Sequence, residues 1–456
     1  MHMKEKTVNR SFLGYLTRLM DSFSGDKVIF LIALFLMLIS VVSVFSSTPR
    51  LVDENNGIDR VSIMVDQLKV VAVGFVIIFA LYFFGKRSIY RNVSKWCFAG
   101  SFVLLFILVC NLNLGILKAG EINGARRVLV VAGHQIHVYE YVKLMMIMYL
   151  GWALDTYKND GFVWAPKLAN KYPRLKFLAK DFWQKFFYIY VPVVAVTGMV
   201  MMGSNSSALF IGAIMILMVL VGGLDAKDVL LVGTAIVIVV VGIFWAYKAG
   251  LISEGNRVGT AISRITQDDD ATMQILMNSK RESPEWLKAR AKLDQPVGAL
   301  LAIKEGGIFG KGIGNSTQKY QVPVIFGDYM FSFIVEETGI LGAIILIILY
   351  FSLLARGSMV AKMCEDYYDK IIVTGLIILV TGQAFMHMCV NVHMPLIPQT
   401  GQTLPLVSHG TNAFIVFSIV FGILLGISKD ARENMERRAE EIRQEQAHSW
   451  TQDTTM

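Results

Sequence analysis

Glu140 and Lys143 stand at the mouth of an apolar run in this chain of 456 residues. Three positions apart on a helix, they share one face and can pair. A charged pair beside apolar surroundings is costly enough to mark a site, although two interfacial side chains pinning a helix end by snorkelling would look the same. Just upstream, Gly120-Glu121-Ile122-Asn123-Gly124-Ala125-Arg126-Arg127 adds two guanidinium groups. A second polar concentration fills positions 250–327, whose latter half reads GGIFGKGIGNSTQK at 306–319 and leads to Asp328, Glu336 and Glu337. Its glycines permit tight turns and close backbone approach, Lys311 and Lys319 add positive charge, and Asn315, Ser316 and Gln318 add neutral donors. Amides and lysines so placed suit a phosphate or pyrophosphate; a flexible re-entrant turn would need the same glycines. The GK[ST] ending of a nucleotide-binding P-loop is missing, and no strand precedes the segment. A third segment, 391–412, carries three prolines, two glycines, His393 and His409 in a still apolar setting. Backbone broken in this way suits a cavity wall at membrane depth. Either imidazole could titrate near neutral pH or simply be hydrogen-bonded in its loop, and no metal-ligand spacing is evident.

These groups need elements to hold them. At 54% hydrophobic residues and a mean hydropathy of +0.53, the chain is too apolar for one soluble core of ordinary composition. Crossing a bilayer takes about 20 apolar residues per helix. Runs occur at 28–46, 67–84, 97–117, 141–154, 187–202, 208–223, 229–247, 330–354, 371–390 and 412–427, the fourth, fifth and tenth being short. Backbone groups in lipid must be satisfied within the segment, and the alternation of a barrel is missing. The expected fold is therefore an all-α polytopic membrane protein of about ten transmembrane helices, with a large extracytoplasmic loop (249–329) between spans seven and eight. The first run is too long for a cleavable signal and has no small-x-small exit. Residues 1–27 read as a cytoplasmic amphipathic segment, 28–428 as the membrane domain and 429–456 as a charged cytoplasmic tail.

The net charge of +8 is unevenly spread. Lys86, Arg87, Arg91 and Lys95 follow the second run, seven lysines and arginines between 158 and 185 follow the fourth, and Arg356 and Lys362 follow the eighth. The loops between the first and second runs (Arg50, Arg60) and between the ninth and tenth (none) are poor in Lys and Arg, so both termini are expected in the cytoplasm and the long polar segment outside. The basic residues orient the chain and meet anionic lipid, which excludes nucleic acid as the intended partner. Four cysteines without a pairing pattern and 23 methionines without accompanying His or Cys clusters read as packing residues.

Five blocks in order resemble the SEDS family (shape, elongation, division and sporulation), the FtsW- and RodA-like membrane glycosyltransferases of bacterial cell-wall synthesis. NGARRV at 123–128 is similar to the family's NGAxRW, and HVYEYVK at 137–143 to its QPSExxK. AIKEGGIFGKGIGNSTQK at 302–319 and DYMFSFIVEETGILG at 328–342 follow the family pattern closely. The block 383–413 ends LPLVSHGTNA where the family has LPxxSYGGSS. The NSTQK ending resembles the FtsW division branch more than the elongation branch.

The resemblance implies polymerisation of lipid II into glycan strands at the bacterial inner membrane, with release of undecaprenyl pyrophosphate. It implies a class B penicillin-binding protein transpeptidase as partner, within the division or elongation machinery. No cofactor is implied, and a divalent cation is left open. Family members carry the base as an Asp, usually followed by Pro, upstream of a GYQ element. Counting back from Ala302 without gaps reaches Lys288, and the nearest acid in a comparable context is Asp294, with Lys292 beside it and Pro296 beyond. Asp294 is the expected base, its ionised form favoured by Lys292, or else a helix cap. Asp268, Asp269, Asp270 and Glu285 are the alternatives. Arg126, Glu140, Lys143, Lys311, Asn315, Gln318, Lys319, Ser408 and His409 are the expected substrate contacts. The QPD-type turn of span five is replaced by GSNSS at 203–207. A transporter of lipid-linked precursors or a non-catalytic division scaffold would share the helices and the polar cavity; a transporter should show matching halves, and no internal symmetry is evident.

Overall fold

The computed structural model describes residues 23–51, 59–113, 115, 117–122, 125–230, 233–234, 245, 277–280, 283–394, 397 and 400–453. Most of the expected lead-in (1–27), most of the expected seventh span (229–247) and Asp268, Asp269 and Asp270 lie outside the described residues.

Several helices begin where an oxygen-bearing side chain can satisfy amides that have no partner within the helix. Helix α1 (Lys27–Ser47) starts at Asp26, whose carboxylate accepts from the amides of Val28 and Ile29, both at 3.0 Å. Helix α2 (Arg60–Phe84) is capped by Asp59, which accepts from the Ser62 amide at 2.7 Å. Helix α3 (Arg87–Val109) follows directly and stops at Cys110. The expected run 97–117 therefore does not continue as a helix. Its last residue opens a three-stranded antiparallel sheet: β1 (Leu117–Ile122), β2 (Ala125–Val131) and β3 (His134–His137), in that order. The all-α expectation is corrected to this extent. Val128, Val130 and Val131 favour strands, and Ala132 and Gly133, both at positive φ, make the tight two-residue turn that pairs Val131 with His134.

The chain then enters α4 (Val138–Asp155), a short α5 (Trp164–Lys171), and a rod from Asp181 to Met201 made of α6 (Asp181–Lys185), a wide turn and α7 (Val191–Met201). Helix α8 (Asn205–Val221) is capped by Ser204. After the undescribed stretch come α9 (Pro284–Gly306), α10 (Met330–Met363), α11 (Tyr367–Asn391) and α12 (Thr411–Asp453). Seven of the described helices are long and apolar enough to cross a membrane. Helices α4 and α8, together with the largely undescribed run 229–247, account for the other three runs expected. The charged tail continues α12 as one helix to Asp453.

Helices α11 and α12 form the centre, 72% and 78% buried over their apolar spans against 28–44% for the five other membrane-length helices. The outer helices turn Phe83, Phe84, Ile348 and Phe351 outward, the arrangement expected where the solvent is lipid. At the end bearing the basic loops, the Arg356 guanidinium reaches Asp26 at 2.5 Å, and the Ser428 hydroxyl accepts from the Asp26 amide at 2.9 Å. Asp26 thus ties α1 to α10 through its carboxylate and to α12 through its amide.

Candidate functional site

The glycine-rich stretch is built around a break in α10. Gly339 has φ 72° and ψ −169°, which interrupts the helix and strips its backbone of intrahelical partners. The segment 307–312 lies against the break like a strand. Lys311 N donates to Glu336 O and Gly312 N to Glu337 O, each at 2.9 Å, and Ile340 N donates to Gly307 O at 2.9 Å. A side chain at Gly310 would lie 2.2 Å from the Glu337 carbonyl, so only glycine permits this approach. Gly310→Ala is expected to destabilise the fold by about 2 kcal/mol or more, seen as a fall in Tm. Gly314→Ala, whose added carbon would meet nothing within 4 Å, should cost only the strain of its positive φ, roughly 1 kcal/mol.

The side chains of Glu336 and Glu337 turn back into the same loop. Glu336 is fully buried and accepts from Lys311 Nζ at 2.7 Å, Ser316 Oγ at 2.5 Å and Thr317 N at 2.8 Å. Glu337 accepts from Ser46 Oγ at 2.6 Å and Gly314 N at 3.0 Å, with Lys319 Nζ 3.9 Å away. Lys319 is 2% exposed and donates to Gly314 O at 2.6 Å; Gln318 is buried. Lys311 also pairs with Glu305. Burial pulls the Lys311 ammonium down, but the Glu305 and Glu336 carboxylates more than reverse this and hold it above its usual range. Asn315 is exposed and donates to Lys311 O at 3.0 Å. The cations and amides expected to receive a phosphate are thus already occupied by two carboxylates of the chain itself. Lys311, Gln318 and Lys319 frame the site in this structure, and the exposed Asn315 is the freest of the four.

A second cluster gathers where β2, α4, α8, α11 and the loop 400–410 meet. Lys143, 4% exposed, donates to Glu140 at 2.8 Å and to Gln383 Oε1 at 2.6 Å, and lies 3.4 Å from Gln402 Oε1 and 5.7 Å from the centre of the Phe210 ring. Gln402 Nε2 in turn donates to Ser207 Oγ at 3.4 Å. The expected Glu140–Lys143 pair is formed, and it belongs to a network rather than to a snorkelling helix end. Alongside, Tyr139 Oη donates to Arg126 O at 3.1 Å; both residues line a cavity of about 310 Å³ with Leu105, Leu108, Met199 and Gly203. Gly203 has no room for a side chain, since an added carbon would fall 1.8 Å from Tyr139 Oη.

Asp328 completes this region and was legible only as part of a motif. It is half-buried against Gly401, the neighbour of Gln402, and among the described residues no hydrogen bond reaches its carboxyl. Burial pushes that carboxyl up to about 6, against the pull of the Arg127 guanidinium. The segment is clamped on both sides. Ser408 Oγ donates to Gly327 O at 2.7 Å, and His409 N donates to Phe326 O at 2.9 Å. The His409 ring bonds through Nδ1 to Gln67 Oε1 at 3.1 Å; Gln67 spends its amide on Ser40 Oγ, so Nδ1 carries the proton. Burial holds this imidazole below its usual range, against the pull of Asp66, so it is neutral at pH 7. Ser408 and His409 therefore act on the loop bearing Asp328.

Two residues overlooked in the sequence hold the start of α10. Tyr329 offers it no side-chain cap, so α11 supplies one. His387 Nε2 accepts from Phe331 N at 3.2 Å and its Nδ1 meets Gln402 O at 2.6 Å, while Asn391 Oδ1 accepts from Ser332 N at 2.9 Å. Caps supplied by another helix leave no local pattern to read.

Asp294 stands elsewhere. It lies 46% exposed on α9 with Arg290 Nε at 3.6 Å, and it does not cap that helix, since Ser283 does so with Pro284 following. Glu285 is an exposed first-turn residue of the same helix. Neither has a described contact with the Lys143 cluster. No group of three or more His, Cys, Asp or Glu side chains that could hold a metal occurs among the described residues.

Fold and cluster together define a polytopic helical membrane protein with a buried polar network at one end of its bundle. The chain belongs to the FtsW/RodA/SpoVE family: the family model, described as "Cell cycle protein", matches residues 26–433. It is 25% identical over 347 residues to the probable peptidoglycan glycosyltransferase FtsW of Trichlorobacter lovleyi, covering 75% of this chain and 78% of that one. To the stage V sporulation protein E of Bacillus subtilis it is 26% identical over 416 residues, 90% of this chain and 98% of that one. Among solved structures, a chain from a study of polymerization and crosslinking by a peptidoglycan synthase complex superposes with a TM-score of 0.61 at 20% identity, covering 89% and 98% of the two chains. The rod shape determining protein RodA of Thermus thermophilus superposes with a TM-score of 0.54 at 21% identity, covering 90% and 99%. These two share the fold.

Proposed function

We propose that the protein is a peptidoglycan glycosyltransferase that polymerises lipid II at the outer face of the bacterial inner membrane, with both termini in the cytoplasm. The observation that carries this reading is the buried Glu140–Lys143 pair, with Arg126 on an adjoining cavity and Asp328 against Gly401 beside Gln402, in a chain of this family. In the reaction, the 4-hydroxyl of one disaccharide attacks the anomeric carbon of the growing strand. The new C–O bond forms as the bond to pyrophosphate breaks, undecaprenyl pyrophosphate leaves with the electron pair, and the hydroxyl proton passes to a carboxylate. A base with a pKa near 6 suits that proton, and Asp328 meets this requirement with no competing hydrogen bond among the described residues. Arg126 and Lys143 would balance the charge that develops on the leaving group. A class B penicillin-binding protein supplies the crosslinking step in this reading, and the peptidoglycan synthase complex among the structural neighbours supports such a partner.

Polymerisation of purified lipid II by the protein with its partner tests the assignment. Wild type is expected to form glycan polymer, and Asp294→Ala to retain it within about threefold, as befits an exposed residue away from the cluster. Loss of polymer from a folded Asp294→Ala variant would move the base to α9. No polymer from wild type would remove the enzymatic reading in favour of a precursor transporter, detectable as lipid II movement across vesicles, or a division scaffold.

A further inference from the structure

The opposite end of the bundle, where the basic loops collect, holds a cavity of about 420 Å³ that shares no lining residue with the Lys143 network. It lies between the start of α3 and the junction of α4 and α5, lined by Ser88, Arg91, Asn92, Lys95, Trp152 and Val163 among others. No carboxylate lines it. Arg91 pairs with the buried Asp155 at 2.7 Å, which fixes the guanidinium in the wall. Among the described residues Lys95 reaches only the neutral Asn92, at 3.2 Å, so the described wall keeps a net positive charge. The Lys86 side chain gives α3 no cap, and the positive end of the helix dipole adds to the same sign.

The helical register sets two different stripes side by side. Ser88, Arg91, Asn92 and Lys95 recur at spacings of three and four and face the cavity. Ile89, Val93 and Trp96 follow one position later and are 50%, 54% and 74% exposed. In a membrane-spanning helix that outer stripe meets lipid. Across the opening, Val163 at 56% and Trp164 at 79% exposed add an apolar edge and an interfacial aromatic. A cationic pocket one residue out of register from a lipid-facing apolar stripe matches a molecule with an anionic head and apolar tails.

We propose that this cavity binds the headgroup of an anionic phospholipid of the inner leaflet, its phosphate between Lys95, Arg91 and Ser88 and its acyl chains along Ile89, Val93 and Trp96. The charge of the wall selects an anionic lipid over a zwitterionic one. The site would fix the depth and tilt of α3 and α4, and so hold the β-sheet and Glu140 at the far ends of those helices.

Native mass spectrometry of the purified protein equilibrated with phosphatidylglycerol or phosphatidylcholine tests this. Wild type should retain phosphatidylglycerol in clear preference. Asn92→Asp with Lys95→Glu adds a negative charge at one exposed position and reverses the charge at another, spares the Arg91–Asp155 pair, and should weaken phosphatidylglycerol retention roughly tenfold without changing phosphatidylcholine. Val163→Trp, which narrows the opening without altering charge, should also reduce retention while the Tm holds. Equal retention of both lipids by wild type, or undiminished phosphatidylglycerol on the charge-reversed variant, would overturn the proposal. So would full displacement of the lipid by millimolar inorganic phosphate, which would assign the cavity to a soluble anion.

Discussion

Asp328→Asn is expected to lower polymerisation of lipid II by about 10²–10⁴-fold, the contribution typical of a positioned general base, while leaving the protein at least as stable at pH 7. The substitution keeps size and shape, and among the described residues no hydrogen bond to the carboxyl is lost. Burial already pushes this carboxyl up to about 6. An acid whose folded pKa exceeds its unfolded value of about 3.9 binds its proton more tightly in the folded state. Its contribution to stability therefore falls as pH rises from near 4 to near 6, and at pH 7 the ionised group works against folding. Asparagine removes that charge, so Tm should stay level or rise while activity collapses. In wild type the rate should climb through a pH of about 6 as the base loses its proton, and Asp328→Glu should shift that rise. A merely structural Asp328 would give the opposite pairing: a lower Tm, with the pH profile of the residual activity unmoved.

Lys143→Met should be the most destabilising single change at the site. The ammonium is 4% exposed and joins Glu140, Gln383 and Gln402 from three different elements. Removing it leaves the Glu140 carboxylate, 17% exposed, without its cation, a loss of about 3–5 kcal/mol for a broken buried pair. Folded yield and Tm report this directly. Glu140→Gln combined with Lys143→Met removes both charges and should recover most of the lost stability, because the penalty lies in the orphaned partner. Activity of the double variant separates the two roles. If Lys143 balances charge on the leaving pyrophosphate, the repaired protein stays inactive; if it only braces the bundle, polymerisation returns with the fold.

Much of the architecture was legible because membrane spans obey a simple demand. A backbone in lipid must satisfy itself within the segment, so long apolar runs report helices wherever they occur. Nine of the ten runs overlap described helices, 97–117 only as far as Val109, and most of the tenth lies outside the described residues. The sheet at 117–137 escaped notice because a reading tuned to long apolar runs passes over strands of four to seven residues. The valines of β2 and the Ala132–Gly133 turn were its signal. The family's motif places its base at a position where this chain has Lys288, with Asp294 the nearest acid in a comparable context on the same helix. What sets Asp328 apart is its environment, which no spacing rule encodes.

The glycine-rich segment draws the line between the two sources most clearly. Its composition permitted a close approach of backbone to some acceptor or anion, or a flexible re-entrant turn, and the apolar runs on either side required a membrane. Those are local demands, written in residue type and order. The identity of the acceptor was a tertiary matter. The partners are the carbonyls and carboxylates of Glu336 and Glu337 across a helix broken at Gly339. In the same way, the spacing of Glu140 and Lys143 allowed them to pair, whereas Gln383 and Gln402 were brought to them, and Asp328 to Gly401, by packing of α4, α11 and the loop 400–410. Residue order determined which groups would need partners, because unsatisfied polar groups are costly in an apolar setting; the packing of the helices determined which partners they met.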